Sequence, residues 1–274
     1  MQNNLSLCDR IHYRFTVKDR TENYYRLQYE HFHSRHFDKK HNCLKIGELY
    51  LPLLSHAAYP TREDAYYAME IGDILYPGIL HSYRYVDEGS YEWGGVEVER
   101  GDVVFDCGAN LGLFSLYAAY RGAKIYAFEP IAAARAALRQ TMSLNPSLEG
   151  QVEVVPYGLS DVSGTAEFTV LDGTLVGSSM VLPQEGKRET AKITTIDEFS
   201  ASLGVVPTFI KADIEGAERL MLKGAQETLA HAAPKLALCT YHLPDDKKVM
   251  RELILKANPA YKITEKWKKY YAAV

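Results

Sequence analysis

An acid placed just ahead of a glycine-rich bend is the first pattern in this sequence that carries chemistry. Asp106-Cys107-Gly108-Ala109-Asn110-Leu111-Gly112 closes an apolar run, 103–107, and leads into a helical stretch. Gly108 and Gly112 suit a sharp strand-to-helix turn whose bare backbone lies against a ligand. Seventeen residues after Gly112, Glu129 ends a second apolar run. An acid there bonds a ribose hydroxyl in a doubly wound nucleotide site. A dinucleotide fingerprint would place a glycine where Asn110 stands. Asp106, two residues before the first glycine, attracts a cation and repels a diphosphate. The pattern favours S-adenosylmethionine (SAM), a cationic nucleoside, over NAD.

Further acids and an imidazole fall at the ends of later apolar runs, in Lys211-Ala212-Asp213-Ile214-Glu215-Gly216 and Thr240-Tyr241-His242. In a parallel sheet of order 3-2-1-4-5 they face Asp106–Gly108 across the crevice where strand order reverses. Such a crevice aligns an alcohol with an activated methyl group and takes up the alcohol's proton. His242 is the first choice of base, because an unperturbed imidazole titrates near neutrality. Glu215 orients that imidazole or binds the acceptor hydroxyl. Asp213 touches the cofactor or helps to hold a metal; a divalent metal stays open and no ligand set is assigned. The plainer alternatives are a loop hydrogen bond for His242, a helix N-terminal acid for Glu215 and structural pairing for Lys211. His31, His33, His36 and His41 match no standard zinc spacing and read as exposed histidines on a polar element.

Positioning these residues takes alternating strands and helices from Gly101 onward. Apolar runs at 103–107, 124–128, 152–156, 208–213 and 235–241 read as parallel strands covered on both faces. Helices are expected over 113–121, from Pro130 to Asn145, over 217–231, and from Asp245 or Asp246 to Asn258. Residues 159–205 are too long for a simple crossover and read as a β-hairpin insertion before the fourth strand. Within them Thr195-Ile196-Asp197-Glu198 fits a capping box, with Gly204 closing a short helix. Residues 261–274 read as a final antiparallel strand pair, and 86–98, with short alternating pieces around Gly89 and Gly94-Gly95, as strands joined by a turn. Residues 1–85, rich in Tyr, His and Arg, read as a mostly helical region, with Thr61 as a helix cap, that binds an acceptor or acts as a lid; residues 86–274 form the cofactor-binding domain.

The motifs together resemble one family. Asp106-x-Gly108-Ala109-Asn110-x-Gly112, Ala127-Phe128-Glu129-Pro130, Tyr157-Gly158-Leu159-Ser160-Asp161, Thr194–Phe199, Lys211–Glu218 and Leu222-Lys223-Gly224-Ala225 are similar, in order, to the motifs of FkbM-family class I methyltransferases. The resemblance implies a Rossmann-like α/β sheet of order 3-2-1-4-5-7-6 and SAM as cofactor. It also implies O-methylation of a hydroxyl on a sugar or small natural product. Gly108, Ala109, Asn110, Leu111 and Gly112 would line the methionine part, and Glu129, with Pro130 beside it, would hold the ribose. Leu159, Ser160 and Asp161 would lie by the adenine, and Tyr91 would close over the cofactor. The alternatives are an RNA or protein methyltransferase and a non-catalytic SAM-binding module.

Bulk properties narrow the classes. The 274 residues carry a net charge of −4, with 47% hydrophobic and 24% charged residues, the proportions of a folded chain. An acidic balance supplies no general drive toward nucleic acid, so a small-molecule or glycan acceptor is expected. No run approaches 18 apolar residues, so no transmembrane helix is expected. The start MQNNLSLCDR has no signal-peptide pattern. Four scattered cysteines (Cys8, Cys43, Cys107, Cys239) without a CxxC pair read as reduced thiols in a cytoplasmic protein.

Overall fold

The computed structural model describes residues 30, 32–53, 62–81, 88–171 and 177–274. Tyr24-Tyr25, Thr61, His31, Cys8 and Gly173 lie outside them. The chain divides into two compact units, Met1–Ser90 and Tyr91–Val274. No helix among the described residues is long and apolar enough to cross a membrane.

In the first unit, strands β1 (Phe37–Asp38), β2 (Cys43–Ile46) and β3 (Leu49–Leu51) form an antiparallel sheet. The long helix α1 (Arg62–Leu75) follows, running into a π-helical turn over Tyr76–Leu80. The helix is expected from the sequence; the small sheet is not. Its alternation is only three or four residues long, too short to stand out in a Tyr- and His-rich stretch. His33 stacks on Phe37, His36 contacts Lys45 and Tyr76, and His41 bonds Asp38 at 2.8 Å. Each has its own structural partner.

The second unit is built on a seven-stranded sheet. Strands β4 (Val103–Cys107), β5 (Lys124–Phe128), β6 (Val152–Val155), β10 (Phe209–Ala212) and β11 (Lys235–Cys239) run parallel, while β13 (Lys269–Ala273) pairs antiparallel with both β11 and β12 (Lys262–Lys266). Counted along this sheet, the order is 3-2-1-4-5-7-6. Helices α2 (Leu113–Tyr120), α3 (Ala132–Ser143) and α8 (Asp246–Ala257) flank it, with the short α4 (Pro146–Glu149) between strands. The central strands are apolar almost throughout: Val104, Phe105, Cys107, Ile210, Ala212, Leu236 and Leu238 are at most 1% exposed. That burial explains why they read as unbroken apolar runs.

Between β6 and β10 lies the insertion. Strands β8 (Gly164–Val170) and β9 (Lys187–Thr194) form an antiparallel hairpin, and β7 (Tyr157–Leu159) joins β9 in parallel. Helix α5 (Ile196–Leu203) begins where Thr195 Oγ1 accepts from the Glu198 N–H at 3.0 Å, and ends at Gly204 in the left-handed region.

Two expectations are corrected. The helix expected over 217–231 is two helices, α6 (Glu218–Lys223) and α7 (Gln226–His231). The carbonyl of Gly224 accepts from the Asp197 N–H, and the Asp197 carboxylate in turn accepts from the Glu227 and Thr228 N–H groups at 3.0 and 2.8 Å. A distant acid thereby caps a second helix start. Around Gly94-Gly95, both at positive φ, the described residues hold only a Trp93–Val96 bridge rather than paired strands.

Candidate active site

A cleft enclosing about 600 Å³, open solvent included, lies at the carboxyl ends of β4 and β10, where strand order reverses. Its lining takes Gly108 and Asn110 from the turn after β4, Glu129 and Pro130 from the end of β5, and Tyr157 and Leu159 from β7. Phe168 and Met180 come from the insertion, and Asp213 and Glu215 from the turn after β10.

The two central turns are held in uncommon backbone conformations. Asn110 and Glu215 have φ of 48° and 52°, although neither is glycine; such outliers concentrate at functional sites. Gly108 has φ of 76°, and a Cβ there would lie 2.0 Å from the Asp213 carbonyl oxygen. Glycine at 108 therefore lets the two turns touch backbone to backbone. From the insertion, the Ser179 hydroxyl donates to the Glu215 carbonyl at 2.6 Å, fastening the 177–183 segment to the same turn.

Glu129 receives the N–H groups of Asn110 (3.0 Å) and Ile131 (2.8 Å). Burial pushes its carboxyl up to about 7 against those bonds. Asp213 accepts from the Tyr91 hydroxyl at 2.5 Å. Burial raises its pKa, but Lys211, His242 and Lys269 outweigh that and hold it below the ordinary value. Tyr91 is itself clamped, with the Lys211 and Lys269 ammonium groups 5.2 and 4.4 Å from its ring centre.

Asp106 is not at the cleft surface. It is fully buried, accepts the Ser115 hydroxyl at 2.6 Å and pairs with Lys211 at 3.2 Å, so its charge is compensated inside the protein. Lys211 also donates to the Gly108 carbonyl at 2.7 Å. The acids that do line the cleft are Glu129, Asp213 and Glu215.

His242 is likewise unlike the expected neutral base. Its side chain is 3% exposed, with Nδ1 3.1 Å from Glu218 and Nε2 3.3 Å from Glu215 and 3.5 Å from Asp213. Burial pulls its pKa down, but the surrounding carboxylates of Glu215, Glu218 and Asp213 push it up to about 11. An imidazole so held keeps its proton at neutral pH.

Of the other expected residues, Ala109, Leu111 and Gly112 are buried behind the first turn, Tyr91 stands behind Asp213, and Ser160 and Asp161 fall outside the lining. Sequence reasoning missed Phe168, Met180 and the anchoring role of Glu218. Glu218 sits three residues beyond Glu215 in the same motif, a spacing that brings both carboxylates to one turn.

The lining suits a nucleoside bearing a diol and a positive charge. The Asn110 side-chain oxygen is buried without a hydrogen-bond partner. Three carboxylates and the apolar Leu159, Phe168 and Met180 face the space, with no lysine or arginine among the described lining residues. A diphosphate would meet carboxylates and no lysine or arginine among the described lining residues.

The model of the methyltransferase FkbM domain matches residues 106–261. The chain is 32% identical over 158 residues to methyltransferase sdnD of Sordaria araneosa, covering 45% of this chain and 60% of that one. To 31-O-demethyl-FK506 methyltransferase FkbM of Streptomyces tacrolimicus it is 28% identical over 166 residues, covering 48% and 63%. To hexuronic acid methyltransferase AglP of Haloferax volcanii it is 30% identical over 170 residues, covering 62% and 68%. The chain thus spans less than two thirds of the first two relatives' lengths. A solved methyltransferase FkbM from Methylobacillus flagellatus KT aligns with a TM-score of 0.49 at 23% identity, covering 64% of this chain and 44% of that one.

Proposed function

The chain belongs to the FkbM family of methyltransferases, and on that premise we propose that it methylates a hydroxyl of a sugar or small natural product, using SAM. The observation that carries the reading is the lining of the cleft, three carboxylates without a lysine or arginine among its described residues. When bound, SAM supplies a methyl group on a sulfonium, which an oxygen displaces in line. Glu129 holds the ribose diol as a hydrogen-bond acceptor, with its ring-side neighbours Asn110 and Pro130 framing the same end. Leu159, Phe168 and Met180 offer apolar surface to the adenine.

Asp213 and Glu215 supply negative charge where the sulfonium must sit. They also stand where an acceptor hydroxyl loses its proton. His242 lies between the carboxylates of Asp213, Glu215 and Glu218 and fixes where the first two stand. Two relatives are by name a hexuronic acid methyltransferase and a 31-O-demethyl-FK506 methyltransferase, which supports an oxygen acceptor on a sugar or natural product.

The test is to incubate the full chain with methyl-labelled SAM and a panel of sugars, sugar acids and hydroxylated natural products. Acceptor-dependent label in an ether, lost in Asp213→Asn, is the expected outcome. Label appearing only in RNA or in protein nitrogen would contradict the oxygen-acceptor reading.

A further inference from the structure

Resting on that methyltransferase reading and going beyond it, we propose that Asp213, Glu215 and His242 bind one divalent transition-metal cation at the acceptor side of the cleft, with Glu218 holding the His242 ring. Two segments of the chain, 213–218 and the turn at 242, converge to make the site. The turn after β10 brings Asp213 and Glu215, the turn after β11 brings His242, and the first turn of α6 brings Glu218.

The polar atoms there are aimed at one another without making good hydrogen bonds. Both ring nitrogens of His242 and Oδ1 of Asp213 are buried with no hydrogen-bond partner. Even so, Nε2 lies 3.5 Å from Asp213 Oδ1 and 3.3 Å from Glu215 Oε2. Ligand atoms around a tetrahedral ion with bonds of ~2.0–2.1 Å stand roughly 3.3 Å apart.

The back of the ring is arranged as metal-bound histidines require. Glu218 is fully buried, and its two oxygens accept the Ile214 and Gly216 N–H groups at 2.8 and 3.0 Å. Glu218 Oε1 then faces Nδ1 at 3.1 Å. A carboxylate on one ring nitrogen fixes the tautomer and turns the other nitrogen outward as a ligand. Nε2 is that outward nitrogen, and it faces the two acids that line the cleft.

Charge points the same way. Three carboxylates surround one imidazole, so a divalent ion that takes the place of the Nε2 proton reduces the negative charge further. Imidazole with carboxylates suits Mn²⁺ or Zn²⁺ better than an all-oxygen ion such as Mg²⁺. Because Asp213 and Glu215 line the cleft, the ion's open positions face the acceptor. There it would polarise a hydroxyl and lower the pKa of its proton.

The test is a titration of the full chain with MnCl₂ at neutral pH, following loss of the free-ion electron paramagnetic resonance signal. One Mn²⁺ per chain is expected, displaced by Zn²⁺, with at least tenfold weaker binding in His242→Gln and in Glu215→Gln. Glu215 is 31% exposed at the cleft, so its substitution removes a ligand without opening the core. Failure of the wild-type chain to take up Mn²⁺, or equal uptake by both variants, would overturn the site. S-adenosylhomocysteine (SAH) binding, measured by calorimetry on the same samples, separates the two readings. SAH binding without Mn²⁺ uptake removes the cation site alone, whereas loss of SAH binding by the wild type removes the methyltransferase reading.

Discussion

Two residues show how charge visible in a sequence differs from charge available to a ligand. Asp106 and Lys211 are 105 positions apart in the chain but are direct partners in the β4–β10 register, where they neutralise each other. Nothing local in either segment announces that pairing, which is why Asp106 reads as a ligand-facing acid. Replacing Lys211 by Met strands a buried carboxylate. Urea unfolding should then show a loss of about 3–5 kcal/mol, with the double variant Lys211→Met/Asp106→Leu recovering most of it. Little recovery would mean that the pair does not act as a unit. His242 misleads for the same reason, since its partners come from another strand's turn and from α6. Glu129 is the residue whose position in the sequence reveals its place best, at the end of the second strand and within the cleft. Its carboxyl sits near 7 rather than 4.5. Folding therefore binds an extra proton between those values, and stability should fall as pH rises from about 4.5 to 7. A diol donating to Glu129 favours the ionised form, so SAH affinity should rise as pH increases through about 7 and then level. Calorimetry from pH 5.5 to 8.5 checks this; an identical slope in Glu129→Gln would assign the effect elsewhere.

At the scale of elements, the strands and most helices are legible because each carries local signals. Apolar runs mark strands buried on both faces, Thr195 and Gly204 mark a helix start and stop, and Gly108 and Gly112 mark a turn with positive φ. The broken helix is not legible, because the break depends on Asp197, about thirty residues away, capping α7. Gly224 lies at that break, and a Cβ there would stand 2.2 Å from the Ser160 carbonyl oxygen. Gly108 is tighter still and also has positive φ. Gly108→Ala should therefore lower the melting temperature and weaken SAH binding together, since it forces apart the two turns that line the cleft. Unchanged SAH affinity in a folded Gly108→Ala protein would show that the turns need not touch. The insertion is legible as a hairpin, but its contribution of Phe168 and Met180 to the cleft is not, because only tertiary folding fastens Ser179 to the turn at Glu215.

At the scale of the molecule, the order 3-2-1-4-5-7-6 places the reversal between β4 and β10, and both acidic turns emerge there. Topology thus gathers Asp213 and Glu215 beside Gly108 from residues more than a hundred positions away. The first unit's small antiparallel sheet shows the opposite case, a structure whose strands are too short to leave a period in the sequence. The net charge of −4 includes an acidic cleft lining, while the buried Lys211 behind it faces Asp106. Such a cleft should select by charge as well as by shape. The most direct measurement is a side-by-side calorimetric titration of the full chain at low salt with cationic SAM, with SAH, which lacks the sulfonium charge, and with NAD. SAM and SAH should bind, and SAH at 100 times its dissociation constant should stabilise the fold by about 2.7 kcal/mol, while NAD gives no heat of binding. Tight binding of the dinucleotide, with none of SAM or SAH, would contradict the assignment of this acid-lined cleft to a cationic methyl donor.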